Sequence, residues 1–94
     1  GVVADPGFGF VRLLWWAQDE EVPADQAVAA AISRVRGLSR QLGGSTVVEH
    51  CPLSVKRGID VWGEIPDTIE IMRRIKEKFD PGRVLNPGRF VGGI

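Results

Sequence analysis

Glu49 and His50 form the only adjacent pair of a carboxylic acid and an imidazole in the chain, and His50 is its only histidine. A metal centre built from several histidines is therefore excluded. A single imidazole beside a carboxylate can act as a general base toward a substrate hydroxyl. The alternative is a histidine at the end of a strand with a hydrogen-bonding role only, and the residues alone favour this alternative.

Two cations follow this pair at Lys56 and Arg57. Adjacent cations are usually a solvated surface feature. Beside a carboxylate or a pyrophosphate they would instead clamp an anion, the arginine in bidentate fashion. Arg12 is a stronger indication of a specific partner, because it interrupts an apolar run and an unpaired buried charge is costly.

The composition limits what the chain can bind. Its 94 residues, 44% of them hydrophobic, suffice for one domain with a core of its own. Twelve Lys and Arg balance twelve Asp and Glu, so no basic excess favours nucleic acid or an anionic membrane. We expect no membrane span and no secretion signal, and hence a cytoplasmic setting. Cys51 is the single cysteine, so no internal disulfide is expected and a small buried hydrophobe is the favoured interpretation.

The elements that must position these residues begin with a strand and a helix. The run from Gly7 to Ala17 is rich in aromatic and β-branched residues and predicts a strand covered at least partly on both faces. Asp5-Pro6-Gly7 predicts the turn that opens it. From about Pro23 to Leu42, after an acidic connection, apolar residues recur at steps of three and four. This period predicts one helix that ends at Gly43-Gly44.

A second strand is predicted from Ser45 to Cys51, where Pro52 ends it. In a regular strand Glu49 and His50 lie on opposite faces. A bulge, or the break at Pro52, is therefore needed to bring both side chains into one site.

The rest of the chain predicts a short strand and a second helix. Ile59 to Trp62 is a possible third strand. Asp67 to Glu70 has the spacing of a capping box, and apolar residues then line one helical face as far as Phe79, where Asp80-Pro81 ends the helix. The predicted fold is α+β, an antiparallel sheet with two helices that resembles a ferredoxin-like split βαβ unit. Elements are expected to be missing at the amino-terminal end, and the chain begins at Gly1 without a methionine, as a piece of a longer protein would.

A patterned tail closes the chain, with a helix end, a turn, two apolar anchors and an Asn-Pro-Gly turn. The stretch from Phe79 to Arg89 matches F-D-P-x-x-x-L-N-P-G-[KR] at each fixed place. Here the chain resembles the carboxyl-terminal domain of FAD-linked oxidases of the vanillyl-alcohol oxidase type. Glu49, His50 and Lys56 also have the spacing of the E-H-G-x-G-x-x-K segment of that family.

The chain departs from the family at two places. Cys51 and Leu53 replace the glycines that follow the Glu-His pair, which reduces the backbone freedom of the loop. Relatives that oxidise D-2-hydroxy acids often carry H-x-G-x-G-x-x-H on the earlier strand, with histidines that help to hold a metal. Asp5 and Arg12 stand at those positions, so the resemblance implies that the metal site is lost. In this respect the chain is similar to the FAD-containing accessory subunit of bacterial glycolate oxidase.

The resemblance implies that residues 1–94 are a carboxyl-terminal substrate or cap domain, and that a separate amino-terminal domain binds most of the FAD. His50 would then be the base, Lys56 a carboxylate or flavin contact, and Asn86 a flavin-side contact. Arg12 and Arg57 are the candidate substrate-binding cations. We expect the chain alone to be inactive and not to retain FAD.

The implied partners are the FAD-binding domain, other oxidase subunits including an iron-sulfur subunit, and a small 2-hydroxy acid. Nucleic acid is not among them, and the partner subunits could place the protein at the periphery of a membrane. Two functions stay open. The first is a substrate-side domain that contributes the base. The second is a non-catalytic assembly module that binds the flavin domain and partner subunits.

Overall fold

The computed structural model describes residues 1–15 and 24–94. The chain is α+β in these ranges, with one two-stranded antiparallel sheet and three helices. In chain order the elements are β1 (Val2–Asp5), β2 (Phe10–Leu13), α1 (Asp25–Gln41), α2 (Leu53–Lys56), α3 (Ile69–Phe79) and a 3₁₀ turn (Val91–Gly93). None of the described helices is long and apolar enough to cross a membrane.

The hairpin of β1 and β2 is closed by the turn that Asp5-Pro6-Gly7 predicts. The Asp5 carboxylate accepts hydrogen bonds from the backbone N–H groups of Gly7 and Phe8, at 3.0 and 3.3 Å. The strands pair in antiparallel register, with Val3 opposite Arg12. β1 was not predicted, because its four residues are too few to show a pattern. The predicted strand from Gly7 to Ala17 is shorter than expected: residues 7–9 belong to the turn, and residues 16–17 lie outside the described residues.

Both faces of β2 are exposed, from Phe10 to Leu13. The prediction that the strand is covered on both faces is therefore wrong for the described residues. A single neighbouring strand satisfies one edge of β2 and covers neither face.

The helix predicted from Pro23 to Leu42 is confirmed as α1, and Pro23 itself lies outside the described residues. Of its apolar face only Ile32 is buried, whereas Leu38 is 61% exposed. Arg40, in its last turn, pairs with Glu64. The spacing of apolar residues thus predicted the helix correctly, but it did not predict how much of the apolar face of α1 is buried.

Neither of the later predicted strands forms. Residues 45–51 belong to no ladder, and residues 59–62 form a bend and a turn. One backbone hydrogen bond, from Val48 N–H to the carbonyl of Val61 at 2.8 Å, joins the two segments. The predicted strand that Pro52 would end is absent, and the one-turn helix α2 begins directly after Pro52.

The second predicted helix is confirmed as α3, with the predicted end at Phe79. The capping box is wrong, because Thr68 precedes the helix and no side chain caps its amino-terminal end. Glu70 pairs instead with Arg73, one turn along the helix, at 2.6 Å. None of the residues of α3 is buried, although its apolar face is well defined.

The core is small for a chain of this size. Among the described residues, its buried apolar side chains are Ile32, Val55 and Val91, which come from α1, α2 and the 3₁₀ turn. The accessible surface is 8061 Å², whereas a compact monomer of this mass exposes about 5,400 Å². The radius of gyration is 15.9 Å, against about 12 Å for a compact domain of this length. The helices therefore present apolar faces that the described residues do not cover.

Candidate functional site

His50 and Lys56 line one cleft, which we name the histidine cleft, with a volume of about 480 Å³. Glu49 and Trp62 line it as well. The remaining lining residues are small or apolar: Val47, Val48, Cys51 and Val61. The cleft thus brings together the imidazole, the carboxylate and one of the three cations that the sequence predicts for the site.

Residues 45–51, which form no regular strand, carry the imidazole. The backbone bond from Val48 to Val61 holds one end, and the hydroxyls of Ser39 and Thr46, 2.7 Å apart, tie the other to α1. Because no ladder imposes strict alternation, Glu49 and His50 both border the cleft. The break at Pro52 then turns the chain into α2, and Lys56, the last residue of α2, faces the cleft.

Arg12 lies beside the cleft rather than on its wall. Its guanidinium donates a hydrogen bond to a carboxylate oxygen of Glu49 at 3.2 Å. The sequence predicted that Arg12 needs a specific partner, and Glu49 is that partner. The expected burial is wrong, since the two side chains are 53% and 57% exposed. An ion pair this exposed contributes little stability.

Arg57 does not reach the cleft. It follows α2 as the capping residue, is exposed, and is not among the lining residues. The two adjacent cations therefore separate, with Lys56 on the cleft and Arg57 outside it. Among residues 1–15 and 24–94, no three His, Cys, Asp or Glu side chains gather as a metal site, and the loss of the metal site stays a prediction.

A second concavity, the α3 groove, has a volume of about 670 Å³ and contains Asn86. Helix α3 forms one wall and the chain end the other. The lining residues are Met72, Ile75, Lys76, Phe79, Asp80, Leu85, Asn86, Arg89, Phe90 and Ile94. The structure thus places the two predicted cofactor contacts, Lys56 and Asn86, on different concavities.

Trp62 stands between the histidine cleft and the α3 groove. Its indole lines the cleft, and its Nε1–H donates to the carbonyl of Arg89 at 3.2 Å. Its ring packs edge to face on Phe90, with centroids 4.9 Å apart. Because Arg89 and Phe90 line the groove, the two concavities share a wall.

The end of α3 is tied to the tail by Asp80, the one buried charged side chain of the described residues. One carboxylate oxygen accepts the N–H of Val84 at 2.9 Å, and the other accepts the N–H of Leu85 at 3.0 Å. Lys76, one helical turn before Asp80, pairs with the same carboxylate at 2.5 Å. The hydrogen bond from Lys76 is the largest cause that lowers the pKa of Asp80 from 3.8 to about 2, and the two amides add to it against some desolvation.

Sequence reasoning missed Trp62, Lys76 and Asp80. Asp80 was interpreted only as the end of the helix, although its spacing of four from Lys76 is that of an ion pair on one helical face. The sequence pattern predicts only a possible strand at Trp62, and nothing in the sequence connects Trp62 with Phe90.

Comparisons with known proteins agree with one another in relating the chain to FAD-linked enzymes. The family model described as "FAD linked oxidases, C-terminal domain" matches residues 12–90. An uncharacterized FAD-linked oxidoreductase of Mycobacterium tuberculosis, strain CDC 1551 / Oshkosh, is 44% identical over 55 residues. The protein of the same description from strain ATCC 25618 / H37Rv matches equally. The matched segment is 58% of this chain and only 12% of the length of each relative. No solved structure matches the chain at a significant level.

Proposed function

Since the chain belongs to the family of FAD-linked oxidase C-terminal domains, we propose that it forms the substrate side of an FAD-dependent 2-hydroxy acid oxidase or dehydrogenase. The family is FAD-linked, and a C-terminal domain of this kind works with an FAD-binding domain. Beyond this family membership, we propose the substrate class, the partner subunits and the roles of individual residues.

The histidine cleft carries the proposal, because it places His50 and Lys56 on one surface. A 2-hydroxy acid needs a cation for its carboxylate and a base for its hydroxyl proton. Lys56 is the cation on the cleft. Arg12 lies beside the cleft, paired with Glu49, and Arg57 lies outside it, so these two arginines would act on the same anion only by long-range attraction. The cleft volume of about 480 Å³ is large enough to admit a small acid.

When bound, FAD would supply the acceptor for the hydride that leaves the α-carbon of the acid. His50 takes the proton of the substrate hydroxyl as that hydride leaves, so the hydroxyl carbon becomes a carbonyl. Lys56 holds the carboxylate and thereby orients the α-carbon. Glu49, which pairs with Arg12, borders the same cleft as His50.

The α3 groove is better suited to the isoalloxazine ring of FAD than to the pyrophosphate of FAD. Its walls are largely apolar, and the exposed Asn86 side chain donates to no described residue. Of its two cations, Lys76 is already engaged by Asp80, which leaves Arg89. Asn86 would therefore contact the flavin side, while the pyrophosphate is held on the FAD-binding domain. The wall that Trp62 and Phe90 form supports this arrangement, since it joins substrate cleft and flavin groove.

Within the family we place the chain nearest to the FAD-containing accessory subunit of bacterial glycolate oxidase. Arg12 supports this placement, because an arginine paired with Glu49 stands where a metal ligand would otherwise be expected. The corresponding partners are the FAD-binding domain and further oxidase subunits, including an iron-sulfur subunit.

The test is His50→Ala in the protein that joins this chain to its FAD-binding domain, with flavin reduction by 2-hydroxy acids followed by absorbance. Reduction is expected to slow about 10²-fold to 10⁴-fold, because a general base contributes about that much. His50→Gln should be equally slow, since its amide can hydrogen bond but takes no proton. The matched control is Glu77→Gln, an exposed change on α3 that should leave the rate unchanged. Unchanged reduction in both His50 variants would remove His50 as the base.

A second candidate is a non-catalytic assembly module, and the exposed surface favours it. The accessible surface of the chain is about half again as large as that of a compact monomer of its mass, and His50 itself is exposed. In this function the uncovered faces bind the flavin domain and partner subunits, and the cleft is inert. Absence of flavin reduction by any 2-hydroxy acid in the unmodified protein, with FAD fully bound, would favour this candidate over the first.

A further inference from the structure

The turn between α3 and the Asn-Pro-Gly sequence is held in a strained conformation. Arg83 and Asn86 have φ angles of 51° and 45°, in the left-handed region. That region is costly for residues with a side chain, although asparagine tolerates it better than arginine. Neither residue is a glycine that would adopt it freely. Something in the surrounding structure must therefore stabilise the turn.

Asp80 supplies that stabilisation from one buried position. The two strained residues flank Val84 and Leu85, whose N–H groups both donate to the Asp80 carboxylate. Lys76 neutralises the same carboxylate and also donates to the carbonyl of Leu85. Asp80 is only 4% exposed, so water competes little for these bonds. The carboxylate therefore fixes both peptide groups between the strained residues.

From these contacts we infer that Asp80 is a positioning residue for Asn86, with Lys76 as its support. The inference rests on the proposed function, in which Asn86 contacts the flavin side. With the turn locked, the Asn86 amide lines the α3 groove before any ligand arrives. Without the lock, the chain after Asp80 is free to relax Arg83 and Asn86 to negative φ. Asn86 then leaves the groove, and the binding-competent fraction of the protein falls.

The experiment measures FAD affinity in the protein that joins this chain to its FAD-binding domain, with no substrate present. Asp80→Asn keeps the size of the side chain but removes the charge and one acceptor oxygen. If this variant populates the locked turn about a tenth of the time, its Kd for FAD rises by up to about tenfold, and by no more than the Kd of Asn86→Ala does. Lys76→Met, which leaves the Asp80 carboxylate in place, should raise the Kd in the same direction by less. Glu77→Gln, on the exposed side of the same helix, is the matched control and should leave the Kd unchanged.

A double-mutant cycle separates positioning from general destabilisation. Asn86→Ala should itself raise the Kd and shift the visible absorption bands of the bound flavin. Adding Asp80→Asn to Asn86→Ala should then raise the Kd little further, because the group that Asp80 positions is already absent. Equal effects of Asp80→Asn in both backgrounds would overturn the inference, as would an unchanged Kd in Asn86→Ala.

These outcomes do not depend on the reaction. FAD binding is measured without a 2-hydroxy acid, so a protein that binds FAD through Asn86 but oxidises nothing would support the inference and contradict the proposed catalytic function. Lys76→Met keeps the test interpretable if Asp80→Asn lowers the folded fraction.

Discussion

Trp62 and Phe90 pack edge to face, with ring centroids 4.9 Å apart and ring planes at 69°. Trp62 lines the histidine cleft, and Phe90 lines the α3 groove. The pair is therefore the contact through which the proposed substrate site and the carboxyl-terminal tail meet. It joins residues 28 positions apart in the chain, and Trp62 also donates to the carbonyl of Arg89.

We expect Phe90→Leu to lower the free energy of unfolding by about 1 kcal/mol, because an edge-to-face aromatic pair contributes about that much beyond the area it buries. Chemical denaturation measures the loss, and the NMR resonance of the Trp62 indole N–H should shift in the variant. Phe8→Leu is the control, since Phe8 is 85% exposed in the hairpin turn. A loss in Phe8→Leu as large as that in Phe90→Leu would contradict the assigned contact.

The ion pair of Arg12 and Glu49 should contribute about 0.2 to 1 kcal/mol, because both side chains are more than half exposed. A cycle of Arg12→Ala, Glu49→Ala and the double variant measures this coupling by denaturation. The coupling should shrink when salt is raised from about 0.05 M to about 1 M, where charges are screened within about 3 Å. Arg34→Ala combined with Glu49→Ala should be additive, since Arg34 lies on the exposed surface of α1. A coupling that is insensitive to salt would rule out an exposed ion pair.

The lowered pKa of Asp80 predicts a stability change in acid. Its pKa falls from 3.8 to about 2 on folding, so the charged form stabilises the folded state. This contribution is fully present above the unfolded value of 3.8 and is lost as the pH falls toward and below about 2. Asp80→Asn should therefore be less stable than the unmodified chain near neutral pH, and the difference should shrink through that window.

Unfolding followed by circular dichroism between pH 7 and pH 2 measures the difference. Glu77→Gln is the control for a nearby exposed carboxylate, and its stability should track that of the unmodified chain. A constant difference between Asp80→Asn and the unmodified chain over the whole range would contradict the lowered pKa.

Alanine substitutions at Gly92 and Gly93 separate two costs: that of a positive φ angle in a residue with a side chain, and that of steric overlap with a neighbouring side chain. Both glycines have positive φ, 65° and 73°, so an alanine at either position costs about 1 kcal/mol or more. A Cβ at Gly92 would also lie 2.8 Å from the δ1 carbon of Ile69, whereas one at Gly93 meets nothing within 4 Å. Gly92→Ala should therefore be less stable than Gly93→Ala by about 1 kcal/mol, the lower end of the overpacking cost. Equal losses in thermal unfolding would mean that Ile69 moves aside freely.

The uncovered apolar faces predict that the 94-residue chain self-associates. The chain alone is also expected not to retain FAD, because the proposed phosphate-binding part lies on the FAD-binding domain. Ile75 and Phe79, on the open face of α3, are 54% and 77% exposed. Sedimentation at increasing concentration should show oligomers, and Ile75→Glu should reduce them, whereas Arg74→Glu on the same helix should not. Desalting after incubation with FAD should leave a colourless protein. A monomer at all concentrations, or stoichiometric yellow colour, would contradict these expectations.

The sequence by itself determined the elements whose signals are local. The helices α1 and α3 follow from an apolar period of three and four residues, because helical hydrogen bonds join residues only four apart. The hairpin turn follows from Asp5-Pro6-Gly7, whose carboxylate bonds to amides two and three residues away. The motif from Phe79 to Arg89 predicted the family that the family model confirms.

The tertiary structure decided what depends on partners distant in the chain. The stretch 45–51 has the composition of a strand, but a strand needs a neighbouring strand, and it finds only one backbone bond to Val61. Arg12 meets Glu49, 37 positions away, and Trp62 meets Phe90. Asp80 turns back to bind the amides after it because the chain folds against the end of α3. Local backbone conformation depends on neighbouring residues and can therefore be predicted from the sequence. The histidine cleft, the α3 groove and the wall between them form only where segments distant in the chain pack together.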